Sequence, residues 1–224
     1  MNALQIVNKV LVEKMGLASA TTLVGAVSQT AIALWAVNEI QRMLAKEYDW
    51  NRLKKKAYIT LATSTEFYAL TGESATNDVD RVLNFYYDRD YSISSGYPII
   101  NYLGDDRFLN DFAVNVTEGL PYMIRDFGRN ASNLPRVQVY YIPTATYNGT
   151  LVYYDYIRSV ADLAANADTT PFDDEWLIQG AHMKIQNRNG TLSDEEMQSF
   201  LNSIITGIKN NTKRRRTLPY RDVS

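Results

Sequence analysis

Residues 171–208 read PFDDEWLIQGAHMKIQNRNGTLSDEEMQSFLNSIITGI. Apolar residues recur here at helical spacing, in two runs separated by Asn189-Gly190. In the first run, Pro171-Phe172-Asp173 opens a helix that turns Trp176, Leu177, Ala181 and Ile185 inward. The acids Asp173 and Asp174 complement the positive end of that helix. In the second run, Ser193 and Glu196 make a Ser-x-x-Glu capping box. Met197, Phe200, Leu201, Ile204, Ile205 and Ile208 then share one face. Two such helices cannot bury their stripes alone, so another helical element must cover them.

That element lies at the other end of the chain. Leu4, Val7, Leu11 and Met15 predict a helix over residues 3–15 that ends near Gly16. A loop with Gly25 follows. Ala33, Val37, Ile40 and Leu44 then make the stripe of a longer helix from Thr30 to Tyr48. Asn38, Glu39, Gln41, Arg42 and Lys46 are expected to face outward, with Ser28 or Thr30 as cap. Between the helical ends the period changes. Candidate strands are Lys56–Ala62, Phe67–Leu70, Val79–Tyr87, Val114–Val116, Arg136–Ile142 and Thr150–Arg158. Tyr147-Asn148-Gly149-Thr150 carries an Asn-Gly pair and is expected to join the last two strands as a hairpin. The order of strands within 88–135 stays open. The expected fold is α+β. Residues 1–55 and 165–211 form one helical bundle, 56–164 a β-rich domain, and 212–224 an extended basic tail.

Composition limits the chemistry. The 224 residues include no cysteine, one histidine, three tryptophans and sixteen tyrosines. Thiolate metal sites, disulfides and a cysteine nucleophile are therefore excluded. A histidine-rich metal site would need more than His182. No Walker A loop, dinucleotide fingerprint, His-Glu-x-x-His or Gly-x-Ser-x-Gly is present. Asp78/Asp80, Asp88/Asp90, Asp105-Asp106 and Asp173-Asp174 are paired carboxylates, but their spacing matches no dedicated cation site. The expectation is a protein that is not an enzyme and uses no cofactor or metal. No apolar run reaches the ~18 residues of a membrane span, so no membrane partner is expected.

Charge is unevenly placed. Of 23 basic and 25 acidic residues, five basic and one acidic lie in 213–224, which leaves 18 against 24 before them. An acidic body thus carries a basic end. Lys213, Arg214, Arg215 and Arg216 read either as a solvated tail at a helix C-terminus or as a docking arm, with Leu218, Pro219 and Tyr220 as apolar anchors. The tyrosines also have two readings. Tyr86-Tyr87, Tyr140-Tyr141 and Tyr153-Tyr154-x-Tyr156 suit half-exposed strands and subunit interfaces. They also suit stacking platforms for sugars or single strands. Basic residues are not interleaved with them, as a nucleic-acid face requires.

Three segments together resemble a known family. The first is Val37-Asn38-Glu39 through Ala45, followed by Tyr48-Asp49-Trp50 and Leu53. The second is Glu66-Phe67-Tyr68-Ala69-Leu70. The third runs from Asp168 to Gly180, with Pro171, Phe172, Asp173 and Trp176 at the opening of the penultimate helix. Their order and spacing resemble phage head-to-tail adaptor proteins, the tail tubular protein A group of short-tailed phages.

The resemblance implies a virion structural protein of the neck or tail, assembled in the host cytoplasm. It implies a ring beneath the portal, typically of twelve copies, that extends the DNA channel and offers a platform to a downstream tail or nozzle protein. It implies self-association, portal contact through the C-terminal segment, and passage of DNA without sequence-specific binding. An acidic body suits a channel through which DNA slides. The alternatives are a completion or tail-terminator protein, and a tyrosine-rich carbohydrate- or single-strand-binding module.

Overall fold

A computed structural model describes residues 1–48, 50–87, 101–102 and 118–216. The described residues are mixed α and β, with four α-helices and two small sheets among them. It divides into two compact units. One comprises Met1–Asp49 and Val160–Ser224, the other Trp50–Ser159.

The first unit holds the helices. Helix α1 spans Ala3–Lys9 and continues as a π-helical turn over Val10–Lys14. Asn2 and Gln5 close a reciprocal capping box at its start, each side chain accepting the other's backbone N–H at 2.9 Å. Gly16, at φ +67°, follows its end. Helix α2 spans Ser28–Glu47. Its N-cap is Val27, with no side-chain cap bond, so neither Ser28 nor Thr30 caps it. The expected stripe Ala33, Val37, Ile40 and Leu44 is fully buried.

Two residues assigned to the outer face of α2 are not there. Asn38 is 7% exposed and Gln41 is 0% exposed. Asn38 Nδ2 donates to the Leu163 carbonyl at 3.0 Å, and Leu163 N–H donates back to Oδ1 at 2.8 Å. Gln41 Nε2 donates to the Ala161 carbonyl at 2.8 Å. The segment after the strands thus lies along α2, and these amides satisfy its backbone groups. Helical periodicity sorts apolar from polar; it cannot anticipate an irregular segment that needs amide partners.

Helix α3 spans Asp174–Arg188, and α4 spans Asp194–Arg216. Asp173 caps α3 by accepting the Glu175 N–H at 2.9 Å. The Ser193–Glu196 box caps α4, with Glu196 N–H on Ser193 Oγ at 3.2 Å and Ser193 N–H on Glu196 Oε2 at 2.9 Å. Leu177, Ile178, Ala181 and Ile185 of α3 are buried, while Trp176 is half-buried. Met197, Leu201, Ile204 and Ile205 of α4 are buried and Phe200 is half-buried. The side chain of Ile208 lies outside the described residues. α2 packs most extensively on α3, and α3 also meets α1 and α4.

Among the described residues the second unit holds seven strands: β1 Lys54–Thr60, β2 Phe67–Ala69, β3 Val79–Tyr87, β4 Asn101–Tyr102, β5 Met123–Arg129, β6 Pro135–Tyr140 and β7 Leu151–Arg158. One sheet has the order β1-β7-β3, the other β2-β6-β5-β4. All pairs are antiparallel except β4 beside β5. Val79–Tyr87 matches its expected bounds, and β1 begins two residues before the expected Lys56. β5 falls in the stretch left unordered, and Val114–Val116 lies outside the described residues. Ala57, Ile59, Val152, Tyr154 and Phe85 from one sheet share a core with Tyr68, Ile124, Val137 and Val139 from the other.

The expected hairpin between β6 and β7 does not form, because the two strands belong to different sheets. Tyr147–Thr150 does turn. Asn148 lies at φ −60°, ψ 130°, Gly149 at φ +84°, and Thr150 N–H donates to the Tyr147 carbonyl at 3.1 Å. This is a type II turn, whose twist splays a two-residue hairpin instead of closing it. Its amides serve β1 instead. Gly149 N–H donates to the Leu61 carbonyl, and Leu61 N–H to the Thr150 carbonyl, both at 2.8 Å.

Candidate functional site

The helix-opening motif is built for packing and anchoring. Asp168 Oδ2 accepts the N–H groups of Ala164 and Ala165, both at 2.7 Å. Those two donors hold the Asp168 carboxyl below its usual pKa. The Asp168 carbonyl takes the N–H of Ala3 at 2.8 Å, which fixes the start of α1 to the approach to α3. Phe172 is 5% exposed, and the Asp174 carboxylate pairs with the N-terminal amine at 2.6 Å. At Gly180 the helices leave no room. A Cβ there would stand 2.8 Å from Ile40 Cγ2 and 3.1 Å from Phe200 Cε1. Pro171, Phe172, Asp173 and Trp176 thus sit where they shape the helical unit.

The basic run has a different setting from the one expected. α4 carries the backbone through Arg216, so Lys213, Arg214, Arg215 and Arg216 stand on the end of a helix and not on an extended tail. Cations at the C-terminal end of a helix are favourable. Leu218, Pro219 and Tyr220 lie outside the described residues.

Each sheet of the second unit has an outward face. On β1-β7-β3, Tyr58, Tyr153 and Tyr86 stand opposite one another in register. Tyr86 and Tyr153 stack at 6.0 Å, Tyr58 meets Tyr153 edge-on at 5.9 Å, and Lys56 Nζ lies 4.2 Å from the Tyr153 ring centre. The rings pack against one another and a lysine, in the manner of cross-strand pairs. Beside them an open groove of about 680 Å³ is lined by Lys54, Lys55, Lys56, Glu73, Asn84 and Asp155, among others. Lys55 bonds Glu73 at 2.8 Å and holds that carboxyl below its usual pKa.

On β2-β6-β5, Phe67, Gln138, Arg136, Arg125 and Phe127 share the outward face. Phe67 and Phe127 are 4.7 Å apart between ring centres, and the Arg136 guanidinium lies over both, at 5.3 and 4.6 Å. Arg125 Nε donates to Gln138 Oε1 at 2.5 Å, and Gln138 in turn donates to Glu66. Sequence reading did not single out this cluster. Alternation marks Gln138 and Arg136 as one face of β6, but nothing local places β2 and β5 beside it.

Among the described residues, no group of three or more His, Asp or Glu side chains is placed to hold a metal ion. His182 lies within α3, with Nδ1 buried and no hydrogen-bond partner. No helix among the described residues is long and apolar enough to cross a membrane.

The SU10 adaptor protein family model matches residues 1–221 of the chain. The chain belongs to the SU10 adaptor protein family. The match covers both units, including the β-rich middle, where no motif carried the resemblance. As a phage adaptor the protein has a structural role in the virion neck, alongside other virion proteins, and its family is not an enzyme class. No curated protein matches the chain. The adaptor's candidate sites are accordingly surfaces: the end of α4 and the outward faces of the two sheets.

Proposed function

We propose that this adaptor is the repeating subunit of a ring, of twelve copies, directly beneath the portal. The ring extends the DNA channel and gives tail components their platform. The family match over residues 1–221 carries this reading. The composition supports it, since 24 acidic against 18 basic residues before position 213 give DNA phosphates little to hold. An apolar surface in the helical unit supports side-to-side assembly. No charged residue occurs from Met15 through Asn38, and Val24 and Val27 of that stretch are 69% and 75% exposed. Leu23 N–H donates to Asn166 Oδ1 at 2.7 Å and pins this loop, so its valines are held out and not frayed.

Electron microscopy of particles, and of the chain mixed with portal, tests the reading. A twelve-fold ring in contact with the portal is expected. A chain that stays monomeric with portal present and is missing from mature particles overturns it. Introducing V24E and V27E together is expected to abolish ring formation while leaving the circular-dichroism melt of the subunit unchanged.

The basic end is the portal-docking element in this reading, with Lys213, Arg214, Arg215 and Arg216 meeting acidic groups and Leu218, Pro219 and Tyr220 as anchors. Truncation after Asn211 is expected to lower portal affinity tenfold or more and to steepen no salt dependence, because those cations are gone. Unchanged affinity removes the docking element and leaves the ring reading standing.

A further inference from the structure

The tyrosine row on β1-β7-β3 has no part in the ring reading. Along the chain, Tyr86-Tyr87 and Tyr153-Tyr154-x-Tyr156 have no cations between them, but the sheet supplies cations from β1. That strand alternates, with Lys54, Lys56 and Tyr58 exposed and Ala57 and Ile59 buried. Its register sets Lys56 opposite Asp155 and Tyr58 opposite Tyr153, which in turn faces Tyr86. Lys56 Nζ lies 4.2 Å from the Tyr153 ring centre and 5.1 Å from that of Tyr86. Cation and rings thus form one surface.

That surface has an open ring and open charges. Tyr58 is 56% exposed, and among the described residues no other tyrosine is classed as exposed. No carboxylate among the described residues pairs with Lys54 or Lys56. The two acids of the groove have partners of their own. Glu73 bonds Lys55 at 2.8 Å, and Asp155 accepts the Tyr86 hydroxyl at 3.0 Å. From Trp50 through Thr65 the sequence carries Arg52, Lys54, Lys55 and Lys56 and no acid, within a body that is acidic in sum. The groove of about 680 Å³ runs past all three lysines.

We infer that this face binds single-stranded nucleic acid, with Lys54 and Lys56 on successive phosphates and a base stacked on Tyr58. Spacing selects the occupant. Side chains two residues apart on a strand stand about 6.7 Å apart on one face. That is close to one nucleotide step of an extended single strand. Cation, cation and ring at residues 54, 56 and 58 therefore follow the order of phosphates and base along one backbone. A duplex keeps its bases paired inside and presents none to Tyr58. The inference does not rest on the ring reading.

The test measures fluorescence anisotropy of a labelled thymidine oligonucleotide of about 16 residues against the full chain. Duplex DNA of the same length and polyglutamate serve as competitors. Wild type is expected to bind the single strand, and each competitor is expected to displace it at least tenfold less well than unlabelled single strand. Y58A is expected to weaken binding at least fivefold, and Y58F, which keeps the ring, to bind as wild type does. In K54Q/K56Q the slope of log affinity against log salt is expected to fall by about 0.7 per lysine removed. All these substitutions are at exposed positions, so melts equal to wild type are expected. No binding by wild type at low salt overturns the inference. Competition by duplex or polyglutamate as strong as by single strand reduces the face to a general cation patch and overturns it too. A salt slope unchanged in K54Q/K56Q assigns binding to the basic end of α4 and rejects the sheet face. Unchanged affinity in Y58A removes the stacked base and with it the single-strand reading. A twelve-fold ring whose subunit binds no oligonucleotide removes this inference alone; Tyr58-dependent binding by a chain that forms no ring removes the ring reading alone.

Discussion

Gly180 shows how little room the helical unit leaves at one atom. The Cβ of an alanine would lie 2.8 Å from Ile40 Cγ2, inside any allowed contact. Gly180→Ala is therefore expected to destabilise the protein, although alanine favours helix by about 1 kcal/mol. Overpacking of this kind costs about 1–3 kcal/mol, and the sign is read directly from a denaturant midpoint. Asn38 makes the complementary point. Asn38→Ala leaves a buried N–H and a buried carbonyl of Leu163 unmet. A loss on the order of 3 kcal/mol is expected from the same measurement. Asp168 adds a pH dependence. Its folded pKa is depressed by the N–H groups of Ala164 and Ala165. The stability this contributes is present above the usual aspartate value of about 3.9 and is lost as pH falls through the lower folded value. The melting temperature of Asp168→Asn is expected to fall less steeply below about pH 4 than that of wild type.

At the scale of elements, a turn and a strand pairing separated what one sequence feature had joined. Asn148-Gly149 makes a turn, as its residues require, but of type II, and its backbone pairs with the end of β1. Gly149 at φ +84° has open space around it, so Gly149→Ala is penalised through the backbone alone. About 1–2 kcal/mol of destabilisation is expected, without any change in the partners of β7, as cross-strand contacts in an NMR spectrum would report. β7 explains why pairing was illegible. Its Tyr153 and Tyr154 alternate between an outward ring row and the buried core. Burial pushes the Tyr154 phenol's pKa up, and its hydroxyl donates to the Thr71 carbonyl. The unfolded chain releases that proton near pH 10 while the folded chain keeps it, so stability declines as pH rises above about 10. Absorbance titration at 295 nm is expected to show Tyr154 ionising only as the fold melts. Reversible ionisation of all sixteen tyrosines with the fold intact would contradict this.

For the whole molecule, the two units differ in how the chain makes them. Trp50–Ser159 is continuous, has its own core, and its ends meet, with Arg158 N–H on the Leu53 carbonyl at 3.0 Å. A fragment of residues 50–159 is expected to fold alone, with dispersed amide resonances, as inserted domains with adjacent ends do. The helical unit needs both termini, since α2 and α3 pack together from opposite ends of the sequence. Much of this was written locally. Stripe spacing, the Ser193–Glu196 box, Asp173 at a helix start and alternation in β6 depend on neighbours within four residues, and they fix element type without tertiary help. The motif from Asp168 to Gly180 and the two segments before it were enough to suggest an adaptor. Tertiary structure decided the rest: that Asn38 and Gln41 turn inward, that β6 and β7 lie in different sheets, and that Arg136 lies over two phenylalanine rings brought together from β2 and β5. Each depends on groups brought together from distant positions. Helical or strand period carries no record of such partners, because backbone hydrogen-bond demand and charge are met in space and not along the chain.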